Sequence, residues 1–218
     1  MTADRPLRAD AERNRRRVMD AARELFAQRG LEVTLNDIAR HAGVGVGTVY
    51  RRFPDKDALI EALFEERVAE IVAIARGGLE ASDPWEGFTG AITSILALQE
   101  SDRALKELML SSEERRERVN RIRALMAPIV AQLITRARDA GQLRADVVPQ
   151  DFPLLQIMLG AVIDVEHDHA PGLWRRYLEM MLQGMRATPA APAPLSVDAP
   201  DWESMSLVLA SWRPPRRH

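Results

Sequence analysis

The 218-residue sequence predicts an all-α fold. Three features carry that prediction. Apolar residues recur at three- and four-residue spacing almost throughout, the strict alternation of a half-buried strand is nearly absent, and glycines, prolines and short polar residues stand where the periodic runs begin and end. About nine helices are expected. They divide into a three-helix head with a helix-turn-helix (residues 1–70), a larger helical body (77–186), and a proline-rich linker with a C-terminal tail (187–218).

The first helix is expected over 10–29, with Val18, Ala22, Leu25 and Phe26 as its apolar stripe and Gly30 as its stop. Thr34 caps a short second helix, and Asp37, three residues on, completes a shortened capping box. Leu35, Ile38, Ala39 and Ala42 face inward, and Gly43 ends the helix where a positive φ is needed. A very short helix follows over 46–53. Pro54 cannot continue it, and Asp55 caps a long helix over 56–76, with Leu59, Leu63, Val68, Ile71, Val72 and Ala75 inward and Gly77-Gly78 at its end. In the body, Asp83-Pro84 opens a helix lined by Trp85, Phe88, Ile92, Ile95 and Leu96. A short helix over 102–110 precedes a long one over 112–140 striped by Val119, Ile122, Met126, Ile129, Leu133 and Ala137. Pro128 should kink that helix and Gly141 should stop it. Residues 149–166 are apolar on nearly all sides and must be covered on more than one face. Residues 171–186 carry Trp174, Tyr177, Leu178, Met181, Leu182 and Met185 at helical spacing. In the tail, Trp202, Met205, Leu209 and Trp212 either form one docking helical face or stay disordered.

Composition narrows the function. The chain has no cysteine, which excludes disulfides, thiolate metal sites and cysteine nucleophiles and fits a reducing cytosol. The longest near-uncharged apolar run, 152–163, is shorter than the roughly 18–20 residues that span a bilayer. With no secretory signal in sight, a cytoplasmic protein with no membrane partner is expected. No serine elbow, phosphate loop or zinc-binding helix is present, so no enzyme activity, cofactor or metal is expected. The acidic and histidine-rich stretch 164–169 looks like a metal cluster, but residues two apart do not share a helix face, and a solvated junction is the better reading. Charge is unevenly spread. Residues 1–56 hold twelve basic and eight acidic side chains, a surplus of +4, so the remainder carries −6 within the net −2. A basic head on an acidic body is the footprint of local nucleic-acid binding.

The stretch HAGVGVGTVYRRFPDK, residues 41–56, places that footprint. Two helices around a tight glycine turn form a helix-turn-helix pattern. On the second of them Val46, Val49 and Phe53 lie on one side and should dock inward. Gly47, Thr48 and Arg51 point the opposite way, with Tyr50 and Arg52 on the flanks. Arg51 can bond a guanine edge bidentately, and Thr48 and the Tyr50 hydroxyl can reach phosphates. Gly45 and Gly47 let backbone come close to the groove. Lys56, at a helix start, makes a phosphate anchor, and Thr34 and Asn36 hold the equivalent place one helix earlier. Arg13, Arg15, Arg16 and Arg17 either contact flanking phosphates or form a solvated face, since Asp10, Glu12 and Asp20 interleave them.

Residues 13–67, through RVMDAARELFAQRGLEVTLNDIARHAGVGVGTVYRRFPDKDALIEALF, resemble the N-terminal domain of the TetR family of transcriptional regulators, and AGQLRADVVPQDF is a weaker match further on. The resemblance implies a three-helix DNA-binding head, a divergent ligand-binding body, and a homodimer that represses its operator on double-stranded DNA until an effector binds. It carries the family's DNA contacts over to Thr34, Asn36, Gly45, Val46, Gly47, Thr48, Tyr50, Arg51, Arg52 and Lys56. Val46 and Gly47 have no side-chain donor for a base, so readout falls chiefly on Arg51. Asn36 matches a position whose residue type varies in the family.

A monomer reads too few base pairs for useful specificity, so a homodimer on two half-sites is expected. The helices over 149–166 and 171–186 are the expected interface, through Leu155, Leu159, Val162, Trp174, Tyr177, Leu178 and Met181, as an isologous four-helix bundle. The other reading makes 149–166 the centre of the body's own core. A small hydrophobic effector is expected among Phe88, Ile92, Met109, Leu110, Met126, Ile129, Val130 and Met158, each of which also reads as ordinary core. Two rival functions stay open: a DNA-binding regulator with no effector, and a helical carrier protein with an incidental basic head.

Overall fold

Nine α-helices make up the fold among the residues described by the computed structural model, which are 4–101, 115–166, 170–188 and 195–211. They divide into two compact units. The first holds the described residues to Glu70 together with Ser101 and Arg115, and the second holds Ile71–Glu100 and the described residues from Arg116 on.

In the first unit α1 spans Asp4–Arg29, six residues more than its stripe predicts. Nothing in that extension stops a helix, because Pro6 lies in the first turn, where its missing N–H has no intrahelical partner to lose. Val18, Met19, Ala22, Leu25 and Phe26 are buried. Gly30, at φ +59°, ends α1 and opens a single 3-10 turn, Gly30–Glu32. The capping box then forms as expected at the start of α2, Leu35–Ala42. The Asp37 amide donates to the Thr34 hydroxyl at 3.2 Å, and the Thr34 amide donates to the Asp37 carboxylate at 3.1 Å. Helix α3 is Val46–Arg52, and α4 begins at Lys56, where Asp55 accepts from the Ala58 amide at 2.8 Å. Arg23 ties α1 to α4 by pairing with both Asp20 and Glu66 at 3.2 Å.

Helix α4 does not stop at its glycines. It runs Lys56–Glu80, through Gly77 and Gly78. The reason is a close helix crossing inside the second unit with α5, Pro84–Ser101. A Cβ built on Gly78 would sit 2.6 Å from the Gly87 carbonyl oxygen, and one on Gly87 would sit 2.2 Å from that of Gly78. Gly78 and Gly87 allow that backbone-to-backbone approach, and Gly77, where an added Cβ would meet nothing within 4 Å, takes no part in it. Arg136 of α6 (Arg115–Asp139) donates to the Leu79 carbonyl in the last turn of α4 and, at 2.8 Å, to the carbonyl of Ala81 just beyond it.

The second unit's core joins Phe88, Ile129, Leu133 and Phe152, with the Phe88 and Phe152 rings edge to face at 5.5 Å. Ile92, Met126 and Val130 pack on its margin. Asp83 caps α5, accepting from the Glu86 amide at 2.9 Å, and a second acceptance from Gln142 at 3.1 Å helps hold its carboxyl below the usual carboxylate range. Gly141, at φ +67°, closes α6 as predicted. Helices α7 (Asp151–Glu166) and α8 (Leu173–Met185) pack on one another around Leu159, Ile163, Trp174 and Leu178, with Leu96 of α5. The tail reading resolves toward docking. Helix α9, Trp202–Ser211, buries Met205 completely, and Arg123 of α6 lies 5.8 Å from the Trp202 ring centre and donates to Ser206. Trp212 lies outside the described residues, as do the short helix expected over 102–110 and the histidines at 167 and 169. Among the described residues no group of three or more His, Asp or Glu side chains is arranged to hold a metal, and no helix is long and apolar enough to cross a membrane.

Candidate nucleic-acid interface

The turn between α2 and α3 is built by glycine. Gly43 adopts φ +61°, and its amide and that of Val44 donate back to the carbonyls of Arg40 and Ala39 at 3.2 and 3.0 Å. Gly45 caps α3 with no side chain, its carbonyl accepting from the Thr48 amide at 2.8 Å. Two residues hold α3 in place: Val49 is 1% exposed and Phe53 is 3% exposed. Val46 departs from the expectation. It shares their side on a helical wheel yet is 45% exposed. As the first residue of α3 it precedes the turn that carries Val49 into the core, so it is only partly covered.

The outward set matches the sequence pattern. Gly47, Tyr50, Arg51 and Arg52 are exposed, and Thr48 is half-buried. Arg51 lies along its own helix and donates to the Thr48 hydroxyl at 3.3 Å. Thr34 and Asn36 are exposed at the start of α2, and Lys56 is half-buried at the start of α4. Exposed backbone and polar tips on a short helix, with helix N-termini on either side, make a surface that can meet both base edges and phosphates.

One residue of the arginine cluster has a defined role within the fold. From α1, Arg17 donates through Nη2 to the carbonyl of Ala42 at 2.6 Å and to that of Gly43 at 3.1 Å. Sequence reasoning left Arg17 between phosphate contact and solvated face, and no local signal could do better, because its partners lie 25 and 26 positions away. His41 adds a second tie between the same elements, its Nε2 lying 2.7 Å from the Glu24 carboxylate of α1.

The residues assigned to the body sort by burial. Phe88 and Ile129 are in the core, with Ile92, Met126 and Val130 against it. Met158 does not join them: it is 48% exposed on α7. Position 158 is one residue from the buried Leu159, and a helix that buries 159 and 163 turns 158 outward. Met109 and Leu110 lie outside the described residues. Of the expected interface, Leu159, Trp174 and Leu178 are buried in their own unit, so they back the α7–α8 surface and do not line it. Leu155, Val162 and Met181 are partly covered, and Tyr177 is exposed.

A helix-turn-helix head and an all-α body of this kind define a class of bacterial DNA-binding regulators. Residues 18–63 match the family model described as bacterial regulatory proteins, tetR family, and residues 83–187 match that of the SbtR-like transcriptional regulator C-terminal domain. The TetR transcription regulatory protein from Mycobacterium vanbaalenii is 33% identical, with 84% of this chain and all of that one aligned at a TM-score of 0.65. A TetR transcriptional regulator from Streptomyces coelicolor is 26% identical over 80% of this chain and 99% of its own, at a TM-score of 0.59. An HTH-type transcriptional regulator of Staphylococcus aureus is 44% identical over 54 residues, which is 24% of this chain and 29% of that relative's length. The chain belongs to the TetR family of transcriptional regulators.

Proposed function

We propose that this regulator is a homodimeric repressor that binds a palindromic operator through α3 and is released by a small hydrophobic effector held in the second unit. The observation that carries the reading is the division of α3: Val49 and Phe53 anchor it while Gly47, Tyr50, Arg51 and Arg52 stand in solvent. Arg51 reads a guanine edge, Thr48 and Tyr50 take phosphates, and the starts of α2 and α4, with Thr34, Asn36 and Lys56, clamp the flanking backbone.

Dimerisation is supported by apolar side chains left uncovered on α7 and α8, where Met158, Val165, Leu173, Tyr177 and Met180 are all exposed. A second copy covers them isologously and sets two α3 helices about 34–36 Å apart, one turn of DNA, or a multiple of it. The effector acts among Phe88, Ile92, Met126, Ile129 and Val130, preferring one arrangement of the helices around it, and α4 transmits that preference toward Lys56. A difference of about 1–3 kcal/mol between the two arrangements gives a 5–150-fold loss of operator affinity. Selection of genomic fragments by the purified protein tests the DNA reading, with one palindromic site enriched as the expected result. An inter-subunit α3 distance that stays constant with and without a releasing ligand refutes the effector mechanism.

A further inference from the structure

Nothing in the short polar face of α3 fixes the helix's orientation. The helix has no side-chain cap at its start and is seven residues long; Val49 and Phe53 seat it in the core, and the turn before it sets the angle at which its outward face is presented. That turn is held from α1 by the Arg17 guanidinium, beside the His41–Glu24 contact one residue earlier. Arg17, on α1, bonds both the Ala42 and the Gly43 carbonyls, at the end of α2 where the helix dipole is negative and cationic donors are favoured. The arrangement also depends on Gly43. At φ +61° any other residue is strained, and a Cβ there would stand 2.8 Å from Arg17 Nη2 and push the guanidinium off its carbonyls.

We propose that Arg17 is a positioning residue for operator recognition: it fixes the Ala42–Gly43 backbone, and so the angle at which α3 meets the groove, without itself contacting DNA. Geometry explains the leverage. Arg51 lies six residues beyond Gly45, about 9 Å along the helix, so a rotation of roughly 10° at the turn moves it by about 1.6 Å. Bidentate base recognition tolerates only about 0.5 Å. Loosening the turn therefore erodes discrimination between sequences more than it erodes general attraction to phosphate, which depends on charge and not on register.

The inference rests on the proposed DNA-binding function, and the test separates the two. Wild type, Arg17→Gln and Arg17→Lys are titrated with an operator duplex and a scrambled duplex across a salt series. Hydrogen exchange is followed in the DNA-free proteins. For Arg17→Gln the expected results are a roughly tenfold loss of operator affinity, the scale of one charge-assisted hydrogen bond, with little change on the scrambled duplex and an unchanged salt slope. Exchange should quicken at the Gly43 and Val44 amides and stay constant at the buried Leu59, Ile60, Leu63 and Phe64. Arg17→Lys, which keeps a cationic donor, should recover most of the selectivity. A salt slope shallower by about 0.9, with equal losses on both duplexes, makes Arg17 a phosphate contact and overturns the inference. So does unchanged selectivity or unchanged exchange in Arg17→Gln. A wild type that prefers no duplex overturns the underlying function, and the inference with it.

Discussion

The adjacent glycines of α4 make a prediction with opposite signs at neighbouring positions. Alanine in place of a helical glycine normally stabilises by about 0.5–1 kcal/mol, because glycine loses more backbone freedom on folding. Gly77 is exposed, and a Cβ there meets nothing within 4 Å. Gly77→Ala should therefore gain roughly that amount and raise the melting temperature of the second unit by about 1–4 °C. At Gly78 the same methyl would lie 2.6 Å from the Gly87 carbonyl oxygen, 3.1 Å from the Ala91 Cβ and 3.2 Å from Leu133 Cδ2. The first of these is backbone, so relief requires α4 and α5 to separate. Overpacking of this kind costs about 1–3 kcal/mol, against which the propensity gain of up to about 1 kcal/mol is the smaller effect. Thermal and urea unfolding of both variants, followed by circular dichroism, measures the difference. A Gly78→Ala protein as stable as Gly77→Ala would refute the close-crossing argument and restore the reading of these glycines as mere helix punctuation.

Three further outcomes follow from the same geometry. Arg51→Ala should lose about 1–3 kcal/mol of operator binding and relax sequence preference, whereas Lys56→Ala should weaken all duplexes alike and flatten the salt dependence; equal, preference-neutral losses in both would put base readout elsewhere. Tyr177→Glu, which sets a charge on the exposed face of α8, should shift the proposed dimer to monomer in analytical ultracentrifugation while leaving the helical signal intact. Hydrogen bonds from the Thr34 side chain, then from its backbone, hold the Asp37 carboxyl below its ordinary value of 3.8. A lowered folded value means the capping box contributes fully above that ordinary value, and its contribution disappears as pH falls through the lowered one. Asp37→Ala should be less stable than wild type at neutral pH, and the gap should close in strong acid; a gap independent of pH would remove the charge from the explanation.

The head was legible almost residue by residue because its signals are local. A capping box spans four positions, a positive φ asks for glycine at Gly43, and Pro54 ends a helix whatever surrounds it. Periodicity placed Val49 and Phe53 inward and Arg51 outward for the same reason. Val46 was misjudged because a helical wheel assumes that the whole length of a helix is covered, and a first turn need not be. The body was legible as helices but not as a site. Which of Phe88, Met126 and Met158 share a surroundings depends on how α5, α6 and α7 meet, and the 3.6-residue period gives each helix an apolar face without naming its partner.

What the chain alone determined was the all-α class, the helix-turn-helix, and the polar tip of α3, since each follows from interactions between residues a few positions apart. The folded structure decided the rest. It ran α4 through Gly77 and Gly78 because a second helix approaches there, placed Leu159, Trp174 and Leu178 inside their own unit, and gave Arg17 two carbonyls a whole helix away. Contacts between residues far apart in sequence leave no periodic trace in either partner, and only packing brings them together.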